Sequence, residues 1–541
     1  MLRACPTCEA GLFHPCTPCS GWPGLIFVIA CANAANLLLA RSEARRREIA
    51  VRLSIGASRV RVIRQLLTES ALLVIVSMVC SVVFTAWTGD LLVRLALGTT
   101  GPVPFTTHLD GRVLAFTLTV AAFTLLVFGM VPAVRTTHVE LGTALKTVLT
   151  RGGSRMSLQH CLVVTQVALS LGLLVVAGLL VGTLRNYLHL NLGFAPEHVV
   201  SVGISPRASG YGPDRLGTLY RTLVERIQAV PGVHSASVAV CGLAVGCNNT
   251  SSGVDIEGYQ PLSGERVRLQ ENEIGLNYFS TVGMRLIEGR EFTERDDEHS
   301  PKVAVVNQAM VRQYFQGRSP VGRRFGDGRG SFEIVGVVED ARVNRVQQSA
   351  TPMAFYPIEQ LRMYPAAILE VRVVGDPRAM SAEIGRAVAA AGLPVDRLST
   401  LSRQVELNLT QERLVTRLAS FFGAVALGLA CVGVFGVMSY LVSRRRSEFG
   451  IRLALGVTRT RLGVSVLHHT LGLVAVGLAG GVPIALGLSR LLAALLFGIT
   501  ATDSLTIVAA AVLLAFAATG AGLIPAWRAA SVDPVVALRS E

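Results

Sequence analysis

One sequence block occurs twice in the chain, and the distance between its copies constrains the architecture more than any other feature. Residues 46–57 return as residues 446–457 at a constant offset of 400 positions. Each copy places an arginine four residues after a glutamate and then reaches a glycine. This period is far too long for a solenoid, whose repeats span about 20–50 residues. We therefore expect a duplicated unit with a large segment inserted between the copies.

A second pair of blocks repeats in the same order. The segment 132–146 carries Pro-Ala-x-Arg and then Ala-Leu-Lys, and the segment 525–539 carries Pro-Ala-x-Arg and then Ala-Leu-Arg. Each block lies where an apolar run meets a basic one. Such boundaries are typical of the cytoplasmic ends of membrane helices. The duplicated unit is therefore predicted to be a bundle of membrane helices.

The composition agrees with a membrane protein. Of the 541 residues, 51% are hydrophobic and only 16% are charged, whereas about a quarter are charged in soluble proteins. The formal net charge of +14 is compatible with nucleic acid or with an anionic membrane surface as a partner. Because the arginines concentrate beside apolar runs, membrane lipid is favoured and no nucleic acid partner is expected.

Seven apolar stretches approach or exceed the length of about 20 residues that a membrane helix needs. They are residues 24–40, 66–97, 113–134, 161–184, 418–442, 464–488 and 505–527. The fourth stretch contains three neutral polar residues, Thr165, Gln166 and Ser170, which are suited to bridging helices. Charges inside the stretches are scarce, which disfavours an ion or proton pathway.

The arginines set the orientation of these helices. Basic clusters lie between the first and second, the third and fourth, and the fifth and sixth stretches, and after the seventh. Simple alternation puts all of them on one side, which the positive-inside rule makes cytoplasmic. We expect a multi-pass protein of the bacterial cytoplasmic (inner) membrane, with the interval 185–417 outside the cytoplasm.

That interval has the length and the mixed signals of an α+β domain. Strands are predicted at 199–204, 233–240, 303–307 and 332–338, and helices at 214–230, at 381–391 and directly after 307. The acidic run 296–298 is predicted to be a solvated turn. Cys241 and Cys247 could close a small loop in an oxidising compartment, and the sequence leaves this pairing open.

The chain lacks the short motifs of catalysis and cofactor binding. Its two lysines, Lys146 and Lys302, do not follow a glycine, so neither belongs to a phosphate-binding P-loop. No metalloprotease, nucleophile-elbow or dinucleotide motif occurs. Two Cys-x-x-Cys pairs near the start are closer together than in a zinc ribbon. We expect no catalytic residue, no metal and no cofactor, with any ATP bound by another subunit.

The repeated block predicts a short amphipathic cytoplasmic helix that ends at a glycine. Its glutamate and arginine lie one helical turn apart in the favourable order, and Ser58 and Thr458 are placed to cap the next helix. A simple basic anchor would require only arginines. We therefore predict a docking element for a cytoplasmic partner, formed by Arg47, Glu48, Arg52, Leu53 and Gly56 in the first copy and by Arg446, Glu448, Arg452, Leu453 and Gly456 in the second.

These residues resemble the FtsX-like and MacB-type permeases of ABC transporters. Residues 31–41, 334–338 and 525–539 fit the same family. The resemblance implies an α-helical polytopic membrane protein, with about seven helices in two repeated bundles and one α+β extracytoplasmic MacB-like domain. It also implies that the ten predicted residues form coupling helices on a cytoplasmic ABC ATPase dimer. The resemblance is also compatible with a periplasmic adaptor or a second permease as a further partner.

The resemblance also predicts the domain order. We expect an undefined cysteine-rich start (1–23), a first repeat with three helices (24–158), a leading helix (159–186), the extracytoplasmic domain (187–413) and a second repeat with three helices (414–541). Because the first repeat lacks a leading helix and an outer domain, an amino-terminal truncation or an upstream start is expected.

The function that the resemblance implies is a permease subunit, not an enzyme. It would couple ATP hydrolysis by a partner ATPase to the extracytoplasmic domain, for efflux, lipoprotein handling or mechanotransmission. The alternative is a non-transporting signalling or regulatory subunit, or an inactive truncated paralogue.

Overall fold

The computed structural model describes residues 29, 30, 33, 55, 58–97, 111, 115, 118, 119, 121, 122, 126, 158–244, 249–327, 330–344, 346–361 and 368–531. These residues fall into two compact units. One contains the chain up to Asn186 together with everything from Glu412 onwards, and the other is Tyr187–Gln411. The boundaries between the five predicted segments stay predictions.

Five helices in the described residues are long and apolar enough to cross a membrane. Two of them precede the outer domain, α1 (Arg59–Leu97) and α2 (Leu158–Leu188). The other three follow it, and they are α9 (Thr410–Arg444), α11 (Arg459–Leu491) and α12 (Ser504–Ala530). They confirm five of the seven predicted stretches. The stretches 24–40 and 113–134 lie almost entirely outside the described residues.

The repeat is visible in the register of the helices. Helix α1 begins at Arg59 and α11 begins at Arg459, so the offset of 400 positions is kept. The backbone carbonyls of Ser58 and Thr458 accept the first hydrogen bonds of these helices. The prediction that the Thr458 side chain caps α11 is wrong, because it makes no capping bond and its hydroxyl instead accepts from Thr460 Oγ1 at 3.4 Å.

Helix α2 lies at the centre of the membrane bundle. Its residues at every fourth position, Val163, Val167, Leu171, Val175 and Leu179, form one buried stripe that packs on α9, α11 and α12. A hydrophobic stripe at this spacing is one face of a helix. Glycines allow a close approach: a Cβ built on Gly481 of α11 would lie 2.9 Å from Ala168 Cα.

Polar side chains bridge α2 and α9, as the sequence predicts for two of the three candidates. Gln166 Nε2 donates to the carbonyl of Leu429, and Ser170 Oγ donates to the carbonyl of Ala426 at 3.2 Å. Both side chains are buried. In a bilayer such bonds contribute about 1 kcal/mol each to helix association.

The outer unit is a mixed α+β domain. Its strands are β1 (Val199–Ile204), β2 (Val233–Ala239), β3 (Thr250–Ser252), β4 (Asp255–Ile256), β5 (Arg268–Ile274), β6 (Leu286–Gly289), β7 (Val303–Asn307), β8 (Arg324–Asp327), β9 (Gly330–Val338), β10 (Met353–Pro357), β11 (Ile368–Val373) and β12 (Val395–Thr400). Its helices are α3 (Pro213–Gln228), α4 (Tyr278–Val282), α5 (Gln308–Tyr314), α6 (Ile358–Leu361), α7 (Pro377–Ala390) and α8 (Leu401–Asn408). The predicted strands and helices are therefore present, with shifts of a few residues at their ends.

Local capping explains where several of these helices begin. The side chains of Asn307, Asp376 and Thr400 accept hydrogen bonds from backbone N–H groups in the first turns of α5, α7 and α8. Asp503 caps α12 in the same way. Each cap satisfies a donor that has no partner inside the helix.

All twelve strands belong to one sheet with the order β12-β1-β11-β2-β5-β10-β7-β9-β8-β4, while β3 pairs with β5 and β6 pairs with β9. The pairs β5–β10 and β7–β9 are parallel, and the others are antiparallel. Helices α3 and α7 cover β1, β2 and β11, with Leu223, Ile227 and Ile384 in the core between them. The sheet is therefore mixed.

Two local predictions in this domain can be compared with the structure. The acidic run is not a solvated turn throughout, because Asp296 is buried and accepts two hydrogen bonds from Arg290, at 2.7 and 2.9 Å. Cys241 is disulfide-bonded. The predicted partner Cys247 lies outside the described residues.

Candidate functional site

The second copy of the repeated block forms a short helix, α10 (Arg446–Ala454), directly after α9. Its inner face is anchored by Phe449, which is buried in a cluster with Val442 of α9, Leu462 and Val466 of α11, and Ala526 and Ala529 of α12. Leu453, one turn further on, packs against the same cluster. The helix is therefore fixed to the ends of three membrane helices.

The outer face of α10 carries a continuous exposed stripe. It consists of Glu448, Ile451, Arg452 and Leu455, which lie at positions i, i+3, i+4 and i+7 and so share one helix face. Leu455 is 80% exposed and Ile451 is 46% exposed. Amphipathic helices that dock into a groove on a partner carry exposed apolar residues at this spacing.

The charged members of the stripe bind each other. Arg452 Nη2 lies 2.5 Å from Glu448 Oε1, and Arg445 Nε lies 3.9 Å from Glu448 Oε2. Their side chains remain about half exposed. Because an exposed pair of this kind contributes at most about 0.5 kcal/mol to stability, the pair does more to order the stripe than to hold the fold.

A glycine turn ends the helix and leads into α11. Gly456 has φ +89°, in the left-handed region that favours glycine. Its N–H donates to the carbonyl of Leu453 at 3.0 Å, and the N–H of Val457 donates to the carbonyl of Arg452 at 3.1 Å. These bonds satisfy carbonyls at the end of α10, as expected for a glycine after a helix.

The first copy of the block is only partly described. Arg47, Glu48, Arg52, Leu53 and Gly56 lie outside the described residues, and the side chain of Arg446 is likewise undescribed. Ile55, the counterpart of Leu455, is described and is also 80% exposed. Both copies therefore present an apolar side chain immediately before the glycine.

The two kinds of repeated block meet in space. Ala526 comes from the Pro-Ala-x-Arg block of α12 and lies in the same cluster as Phe449 of α10. The guanidinium of Arg528 lies 6.0 Å from the centre of the Phe435 ring, within reach of a cation–π interaction. The terminal block therefore supports the helix that carries the exposed stripe.

Sequence reasoning did not identify Ile451 and Leu455 as part of the site. The signal was present, because both follow the spacing set by Glu448. Hydrophobic residues beside a membrane helix are ordinarily assigned to the core or to lipid, and only the burial of Phe449 shows which face is outward. The docking role of the ten predicted residues stays a prediction.

The fold and this helix define a multi-pass permease of the cytoplasmic membrane with an extracytoplasmic domain. Residues 161–391 match the MacB-like periplasmic core domain family, and residues 22–141 and 420–534 match the FtsX-like permease C-terminal family. The chain belongs to the FtsX-like, MacB-type permeases of ABC transporters.

Several curated relatives share about half of the chain. The macrolide export ATP-binding/permease protein MacB of Syntrophobacter fumaroxidans is 24% identical over 47% of this chain and 45% of its own length. MacB of Nitrosomonas europaea is 29% identical over 48% of this chain and 40% of its own. The ABC transporter permease YknZ of Bacillus subtilis is 25% identical over 50% of this chain and 70% of its own.

The chain spans less than half of the length of the MacB relatives just described. Among solved structures, it is similar to the periplasmic region of MacB from Actinobacillus actinomycetemcomitans, with 16% identity and a TM-score of 0.29 over 41% of this chain and 97% of that one.

Proposed function

We propose that this chain is the membrane subunit that couples ATP hydrolysis by a separate cytoplasmic ABC ATPase to movement of its extracytoplasmic domain. The observation that carries the proposal is the exposed stripe on α10. Its anchor Phe449 is buried against three membrane helices, whereas Ile451 and Leu455 are 46% and 80% exposed among the residues that the structure describes. A partner that fills this face would push on the bundle directly.

The continuity of α9 supports a relay of movement. Helix α9 runs without a break from Thr410 to Arg444 and is followed at once by α10. Its 35 residues correspond to a rod of about 50 Å. Helix α8 of the outer domain ends at Asn408, only two residues earlier. A displacement of α10 would therefore reach the outer domain along one continuous helix.

Co-purification with a candidate ABC ATPase from the same genome tests the docking step. We expect a tagged ATPase to retain the wild-type chain and to lose the double variant Glu448→Ala with Arg452→Ala. The matched control is Arg403→Ala with Glu406→Ala, which removes another ion pair, 3.0 Å apart and with side chains 39% and 37% exposed, from the outer domain. Equal retention of both double variants would contradict the docking role.

A further inference from the structure

A row of polar side chains crosses the face of the outer-domain sheet that α4 and α8 cover. The row has one member on each of four neighbouring strands, and the members are Ser399 of β12, Ser201 of β1, Glu370 of β11 and Ser237 of β2. Successive residues of a strand point to opposite faces. Val371 and Val238, which follow two members of the row, belong to the apolar core beneath α3 and α7. The row therefore lies on the other face, beneath α4 and α8.

Glu370 is the acidic member of this row, and its side chain is fully buried. Ser201 Oγ donates to Oε1 of the carboxyl at 3.1 Å. The other oxygen, Oε2, has no hydrogen-bond partner among the residues that the structure describes, and the same is true of Ser237 Oγ and Tyr278 Oη. Because an unpaired buried carboxylate is far more costly than an unpaired neutral acid, this packed arrangement requires a protonated Glu370.

The cation that follows Glu370 on the same face of β11 is engaged elsewhere. This residue is Arg372, whose Nε donates to the carbonyl of Thr281 at 2.7 Å and whose Nη2 donates to that of Ala195 at 3.2 Å. Among the described residues, burial and the Ser201 hydroxyl are the influences that shift the pKa of Glu370. The guanidinium therefore holds α4 and the loop before β1, and it leaves a charge on the carboxyl without compensation.

The other elements that face the row add no charge to it. Tyr278, the first residue of α4, stays neutral, because burial and the carboxyl of the row raise the pKa of its phenol well above the ordinary value. Helix α8 meets the row through Gln404, an uncharged side chain whose Nε2 donates to Ser399 Oγ at 2.9 Å. The charged residues of α8, Arg403 and Glu406, bind each other at 3.0 Å and are partly exposed.

Helix α4 is attached differently at its two ends. Near its carboxyl end, Thr281 Oγ1 forms a hydrogen bond with Ser235 Oγ at 3.1 Å, and the carbonyl of Thr281 accepts the bond from Arg372. At its amino end, Tyr278 is buried and is held by packing. A helix of five residues is too short to be stable without such packing. A charge beneath Tyr278 would therefore loosen α4 before it affected the opposite face of the sheet.

We propose that Glu370 is a proton-operated latch for α4. While its carboxyl is neutral, α4 stays packed on the sheet. Loss of the proton in an alkaline medium outside the cytoplasm puts a charge beneath Tyr278 and loosens α4, while the opposite face of the sheet stays folded. The latch lies wholly within the outer unit and requires no ATPase, so its test is independent of the docking experiment.

Hydrogen–deuterium exchange of the full chain in lipid nanodiscs at pH 6 and pH 9 tests the latch, with each rate divided by the intrinsic rate at that pH. The reporters are the amides of Thr281 and Met284, which donate to the carbonyls of Asn277 and Phe279. Because burial raises the pKa of Glu370 to about 8, we expect their protection to fall by at least about tenfold between these pH values. Protection in α3, on the opposite face of the sheet, should change by less than about twofold.

Three variants separate the latch from a purely structural role. Glu370→Gln keeps the size of the side chain and should abolish the pH dependence, whereas Glu383→Gln, at an exposed position of α7, should retain it. Ser201→Ala removes the hydrogen bond that favours the charged carboxyl, so it should move the midpoint of the change to higher pH. Equal protection of the wild type at both pH values, a fall that persists in Glu370→Gln, or an equal fall in α3 would overturn the proposal.

Discussion

Glu370 of β11 lies directly opposite Ser201 of β1, and Ser201 Oγ donates to Glu370 Oε1 at 3.1 Å. On its other side Glu370 faces Ser237 of β2. All three residues are buried. Burial raises the pKa of Glu370 to about 8. The hydrogen bond from Ser201 favours the charged form and opposes this rise. The carboxyl is therefore neutral at pH 7.

This carboxyl gives the protein a specific pH dependence. Because the pKa of Glu370 is higher in the folded state than in the unfolded state, its contribution to stability is complete below about pH 4.5. It falls as the pH rises towards 8. We expect Glu370→Gln to match the wild type near pH 5 and to be more stable by a few kcal/mol at pH 8 and above. Thermal unfolding across this range measures the difference.

Glu383→Gln, an exposed carboxyl on α7, serves as the control and should follow the wild type at every pH. A difference between Glu370→Gln and the wild type that stays constant from pH 5 to pH 9 would show that Glu370 is already charged in the folded domain.

A second carboxyl acts in the opposite direction. Burial tends to raise the pKa of Asp296, but hydrogen bonds from Arg290 and Thr293 outweigh burial, and the pKa lies below its ordinary value. Its stabilisation is therefore present above about pH 4 and is lost on acidification. We expect Asp296→Ala to lower the free energy of unfolding at pH 7 by about 2–4 kcal/mol, because Arg290 loses a partly buried partner. Chemical denaturation at pH 7 measures this loss.

Glu294→Gln changes an exposed carboxyl of the same loop and should alter stability by less than about 0.5 kcal/mol. If the two variants were equally stable, the ion pair with Arg290 would have no structural role.

Close packing of α2 against α11 gives a prediction for the membrane bundle. A Cβ on Gly481 would meet the backbone of Ala168, whereas a Cβ on Gly480 would meet nothing within 4 Å. We expect Gly481→Ala to destabilise the bundle by about 1–3 kcal/mol, because the two helices must separate. Gly480→Ala should be neutral or slightly stabilising, since alanine favours helix. Unfolding temperatures in one detergent compare the two, and equal values would exclude a tight crossing at Gly481.

The sequence predicts much of this fold because the decisive signals are local. Apolar run lengths identify α2, α9, α11 and α12, and the exact repeat of Glu448, Arg452 and Gly456 identifies α10. These features depend on neighbours within a few turns. The same locality explains why Gln166 and Ser170 could be named as bridging residues.

Long-range pairing could not be read in this way. Strand β1 pairs with β11 and β12, which follow it by more than 160 residues, and no short pattern specifies such partners. The burial of Asp296 depends on Arg290 folding back over it. The outward direction of Leu455 depends on three helices that surround Phe449. For the strand pairing and for Leu455, a contact distant in sequence decides what a local pattern leaves open. For Asp296, the position of one side chain six residues away decides it.

The affinity of the chain for its ABC ATPase, measured with the chain in lipid nanodiscs, tests the central claim most directly. Burying two apolar side chains contributes roughly 2–4 kcal/mol. We therefore predict that Ile451→Asp with Leu455→Asp raises the dissociation constant by about 30-fold or more. Leu491→Asp, at a residue 76% exposed at the opposite end of α11, should leave it within about twofold. An unchanged dissociation constant for the α10 variant in a correctly folded chain would contradict the account.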